Sequence, residues 1–120
     1  MMRNTLLLVG LTAGLLPIQS VSAEEESSHH IIVTTNQRQI GEACPELKAG
    51  QVLQFEFKAK RTVEFNLHYH QGDKVSYPIE RQELKTLKQS YTAPIDQTYC
   101  LMWEGLKDDT LVQVKYSIKD

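Results

Sequence analysis

The chain of 120 residues is poor in several things at once: two cysteines, one tryptophan, four prolines, six glycines, and no surplus of basic side chains. Each scarcity excludes a class of function. Lysine and arginine number 13 against 15 aspartates and glutamates, and a net charge of −2 argues against a nucleic-acid partner, which needs a basic face. The two cysteines lack Cys-x-x-Cys spacing, so neither a dithiol redox motif nor a thiolate zinc cluster is written here. There is no Gly-x-Ser-x-Gly elbow for a serine nucleophile and no glycine-rich phosphate loop. The carboxylates form no recognisable acid–base pair, which leaves glycosidase chemistry unsupported. No histidine follows Cys100, so the blue-copper ligand order is absent as well. The expectation is a protein that is not an enzyme.

What is present begins with a leader. Met1 to Ala23 carries Arg3, an apolar run from Leu6 to Leu16, Pro17, and the small-residue ending Val21-Ser22-Ala23, the three parts of a secretory signal peptide. The apolar run is too short to be a membrane span, which takes about 20 residues. Cleavage after Ala23 removes Arg3, the leader's only charge, and makes the remainder more acidic. That remainder has no Asn-x-Ser/Thr sequon and no other stretch apolar enough to cross a bilayer. The expected location is the periplasm or the extracellular medium, after cleavage. In such an oxidising space, Cys44 and Cys100 are expected to form one structural disulfide.

Residues 24–30 read as a flexible, acidic, solvated arm, and 31–120 as one domain. From Ile31 onward the apolar period is two. Leu53, Phe55, Phe57 and Ala59 alternate with Gln54, Glu56 and Lys58; Val63, Phe65, Leu67 and Tyr69 alternate with Glu64, Asn66, His68 and His70. Gln71-Gly72-Asp73 makes a turn into a shorter strand with Val75, Tyr77 and Ile79, where Pro78 predicts a sheet edge. Glu83 to Ser90 is ambiguous, since Leu84 and Leu87 fit one helical turn or irregular backbone. Tyr99, Leu101 and Trp103 form a central strand, with Trp103 expected in the core, and Val112, Val114, Tyr116 and Ile118 form the last strand. Six or seven short strands at roughly 8–12 residue spacing predict an all-β fold, a compact antiparallel β-sandwich.

The order of these elements resembles the GOLD-domain β-sandwich of the p24 family of secretory-pathway cargo proteins and small exported bacterial relatives. Cys44, the Gly50-Gln51-Val52-Leu53 entry, Val63 to Tyr69, and Thr98-Tyr99-Cys100-Leu101-Met102-Trp103 running into Val112 to Ile118 carry the likeness. The resemblance implies the fold and a binding role, with an early cysteine pairing with one in the penultimate strand. Gln97 stands where that family has glycine, and Glu104-Gly105 where asparagine is common.

His68-Tyr69-His70 is the constellation with most chemical content. Period two places both imidazoles on one strand face and turns Tyr69 inward. Two imidazoles converging on one ion suit copper or zinc, with Glu64 and Asn66 farther along the same face. A firm zinc site needs three or four ligands, so a third would come from His29, His30, Asp73 or another subunit. The amino-terminal copper motif is excluded, because Glu26 occupies the third position after the expected cleavage. The other reading of His68 and His70 is an ordinary solvent-facing pair. The sequence thus predicts an exported binding or interaction module for a protein or small ligand, with a small periplasmic metal-binding protein using His68 and His70 as the alternative. Any partner surface formed by Gln54, Glu56, Lys58, Glu64 and Asn66 would be polar and open.

Overall fold

The computed structural model describes residues 27–120, all of them in strands or the connections between them. The expected signal peptide lies outside the described residues, as does the expected arm up to Glu26. The rest of that arm, Ser27 to His30, is strand: β1 (Ser27–Thr35) pairs along its whole length with β8 (Thr110–Lys119), Ser27 opposite Ile118 and Thr35 opposite Thr110. The alternation continues through the histidines, so their polarity does not prevent pairing.

The fold is organised by one long hairpin, β4 (Val52–Gln71) and β5 (Lys74–Thr92). Phe57 and Phe65 belong to the same strand, eight positions apart, which on a straight strand means roughly 26 Å. Their ring centroids are 4.9 Å apart. The strand must therefore fold over on itself, and the pairing shows where. Lys58 faces Thr86 and Val63 faces Leu84, so four β4 residues stand against the single Lys85. Such an excess bends a ladder sharply. The first half of β4 pairs with β8 on its other edge, Val52 to Ala59, and the second half with β7 (Cys100–Gly105), Val63 to His68. One layer is thus β1, β8, the start of β4 and the end of β5. The other is β2 (Ile40–Ala43), β7, the end of β4 and the start of β5.

The same bend explains the stretch the sequence left open. Glu83 to Ser90 is strand, within β5, and neither helical nor irregular. Leu87 faces Phe57 and Leu84 faces Val63, both toward the core, because the bend at Lys85 reverses the alternation between them. Two further irregularities, around Glu80-Arg81 and Tyr77-Pro78, reverse it again. Pro78 lies in the second of these, on a strand whose other edge has no ladder among the described residues, as its missing N–H requires.

β2, β7 and two short strands, β3 (Glu46–Leu47) and β6 (Gln97–Thr98), continue a single antiparallel register. Ala43 faces Leu101 and Glu46 faces Thr98, so Cys44 and Cys100 stand opposite one another, and they are joined by the disulfide. Between the layers lie Leu53, Phe55, Phe57, Val63, Phe65, Leu67, Tyr99, Leu101, Val112 and Val114, all buried around a fully enclosed Trp103. Phe57 meets the indole edge-on at 5.7 Å. Tyr99 is held by donating its hydroxyl to the Ile95 carbonyl at 2.7 Å, with Tyr69 and Tyr91 packed beside it. The result is an all-β, antiparallel sandwich with one disulfide.

Candidate functional site

Each layer turns one face outward, and the chemistry is divided between those two faces. On the β2–β7–β4 layer, Glu64, Asn66, His68 and His70 follow one another along the outer side of β4. The ladder sets Asn66 beside Met102, which in turn faces Glu42 of β2, and sets His68 beside Cys100. This outer face is drier than alternation alone predicts. Asn66 is 3% exposed and His68 5%, whereas His70 is exposed.

His68 is held at both nitrogens. Nδ1 lies 2.8 Å from the Asn66 side-chain oxygen, which can only accept, so Nδ1 carries the hydrogen and donates. Nε2 lies 3.5 Å from Glu42 Oε2. Burial lowers the pKa of His68 below its ordinary value; the Glu42 carboxylate opposes this and His70 adds to it. The imidazole is therefore biased toward its neutral form, with a bare Nε2 lone pair. The rings of His68 and His70 sit edge to face with centroids 5.2 Å apart, and the Tyr77 ring centroid lies 5.8 Å from that of His68.

Glu42, His68 and Cys100 bring three ligand-type atoms within 4.8 Å of one another. Cys100 is bonded to Cys44, so its sulfur is no thiolate. The expected partners of the histidine pair do not join it. His29 stacks on Tyr116 at 4.6 Å, and His30 faces outward on the opposite layer. Asp73 is exposed in the turn between β4 and β5 and lies outside the cluster. Glu42 had no signal in the sequence. It is 26 positions from His68, and only the register of β2 on β7 and β7 on β4 brings them together.

The outer face of the other layer holds a shallow trough of about 740 Å³, bordered by a second hollow of about 440 Å³ that takes in Ile32, Gln113 and Lys58. Cross-strand pairing arranges it in rows: Ser28, Ser117, Gln54 and Ser90; then His30, Lys115, Glu56 and Lys88; then Ile32, Gln113, Lys58 and Thr86. Lys115 Nζ lies 3.9 Å from Glu56 Oε1, which offsets the one carboxylate of these rows and leaves Lys58 and Lys88 as surplus charge.

Fold and faces together define a disulfide-closed antiparallel β-sandwich with two polar outer surfaces. No family model matches the chain, so the GOLD-domain likeness rests on its own residues, and no curated protein matches it either. Among solved structures, the chain is similar to a subunit of the disulfide-linked pili of Bacillus endospore appendages, at 6% identity and a TM-score of 0.49, covering 88% of this chain and 97% of that one. It is also similar to a de novo designed double-stranded β-helix, at 16% identity and a TM-score of 0.36, covering 76% of this chain and 96% of that one. No helix among the described residues is long and apolar enough to cross a membrane.

Proposed function

We propose that the protein is an exported, non-enzymatic binding module that takes a polar, anionic ligand across the outer face of the β1–β8–β4–β5 layer. The observation that carries this reading is the row of His30, Lys115, Glu56 and Lys88 with Lys58 one row away, a locally cationic trough on a chain of net charge −2. Serine and glutamine hydroxyls and amides in the adjoining row supply neutral hydrogen-bond partners, as polar ligands require. Three lysines on one face fall short of the basic excess of nucleic-acid binders, so a compact anion or an acidic partner segment fits better. Export is supported by the Cys44–Cys100 bond, which forms and persists in oxidising compartments. The resemblance of the sequence from Cys44 to Ile118 to the GOLD domain favours an interaction module.

The test is titration of the protein with a hexaglutamate peptide at low salt, alongside the double variant Lys88→Glu/Lys115→Glu. Binding that weakens about tenfold or more in the variant, and falls with added salt, supports the reading. Equal binding by both proteins, or none at millimolar peptide, overturns it.

A further inference from the structure

On the opposite outer face, we propose that Glu42, His68 and His70 form a site for one divalent transition-metal ion, Zn(II) or Cu(II), anchored on His68 Nε2. This site is independent of the lysine trough and stands or falls without it.

The first argument is the state of the imidazole. Donation from Nδ1 to the Asn66 oxygen fixes the ring and leaves Nε2 as the nitrogen turned toward Glu42. A metal-bound histidine characteristically donates its other N–H to an oxygen acceptor in this way, which sets the tautomer and the ring plane. His68 is buried, so this orientation is enforced by its surroundings before any ion arrives.

The second argument is what Nε2 faces. Glu42 Oε2, 3.5 Å away, is an acceptor too. A cation shared by the two atoms would hold them together as a bridging hydrogen does. The spacing has the right size. Zinc–nitrogen and zinc–oxygen bonds of about 2.0–2.2 Å at a tetrahedral angle put the two ligand atoms about 3.4 Å apart.

The remaining positions follow from the neighbours. His70 lies on the same face, its ring 5.2 Å from that of His68; it stands outside the Glu42–His68–Cys100 cluster and would have to turn toward the ion to become the third ligand. Cys100 Sγ lies within the cluster but is oxidised, so the ligand set is nitrogen and oxygen with water completing the shell. That set suits zinc or copper(II) and disfavours copper(I), which selects thiolate and thioether sulfur.

The experiment uses the oxidised protein stripped of metal with a chelator, then titrated calorimetrically with Zn(II) and with Cu(II). The expected result is one equivalent bound, with affinity reduced at least about 10–100-fold in Glu42→Gln and in His70→Ala, since loss of even an outer-shell partner costs that much. Both changes are at exposed positions and spare the fold. Copper(II) bound to the wild type should show nitrogen couplings in its electron paramagnetic resonance spectrum, reduced in number in His70→Ala. Nitrogen-15 spectra of the metal-free protein give a second readout: His68 should carry its hydrogen on Nδ1. A hydrogen on Nε2 would mean that the ring simply donates to Glu42, and would overturn the proposal. Binding below one equivalent, or unchanged by Glu42→Gln, would overturn it equally.

Discussion

Gly41 of β2 lies so close under Val33 of β1 that a Cβ at position 41 would overlap the valine side chain. The two residues belong to different layers and share no ladder, so the contact reports how closely the layers approach. Gly41→Ala should destabilise the protein by about 1–3 kcal/mol, the usual cost of overpacking. Adding Val33→Ala should recover part of that loss, because it removes the clashing methyl groups. Urea denaturation of the two single variants and the double variant measures the coupling, and strictly additive effects would contradict the contact.

Cys44 and Cys100 are 56 positions apart in the chain, and the span between them includes the whole long hairpin. Cross-linking a loop of that length restrains the unfolded chain by about 4 kcal/mol in the entropic treatment. Replacing both cysteines by serine should lower the melting temperature by on the order of 20 °C, given about 4–8 °C per kcal/mol for a domain of this size. A drop of only about 5 °C would show that the bond adds little to the sandwich.

Burial pushes the Tyr91 hydroxyl up to about 12, with Tyr99 and Tyr69 contributing in the same direction. The unfolded chain releases that proton near 10, so between those two values the folded state holds a proton that the unfolded state has lost. Stability is therefore unaffected by this group below pH 10 and falls as pH rises from there toward 12. Tyr91→Phe should make the alkaline limb of a stability–pH profile shallower. An unchanged limb would assign it to other groups.

Trp103 is the chain's one tryptophan and is fully enclosed, so folded protein should emit at short wavelength and shift to the red on unfolding. Phe57 and Phe65 both flank it, at 5.7 and 5.8 Å. Truncating either to alanine should cost about 3–5 kcal/mol, as for other buried aromatics. Tryptophan emission followed through a denaturant titration measures the loss, and a cost below about 1 kcal/mol would contradict the packing.

Much of this core could be read directly. Leu53 to Ala59 and Val63 to Tyr69 keep strict alternation because both halves of β4 turn the same side chains inward, and the even step of four positions from Ala59 to Val63 preserves the count. β5 was illegible for the complementary reason. The first two of its three register shifts move the inward positions from Leu87 to Leu84 and then to Ile79, and three-residue spacing in a bent strand imitates a helical turn. At the outer face, period two placed His68 and His70 together, which the structure repeats. The burial of His68 and Asn66 and the approach of Glu42 depend on which strands lie alongside, and alternation within one strand carries no information about its neighbours.

The pairing of β1 with β8 has a mechanical side. Ser27 and Ile118 stand opposite one another, so tension applied between the two ends of the described domain would meet the ladder one pair at a time, as in unzipping. Such a pull would peel β1 away at low force, and the segment between Cys44 and Cys100 could lengthen no further while its bond held. Under load the molecule would thus give up its outermost strand first and keep the looped hairpin tethered, a division between a yielding margin and an inextensible centre.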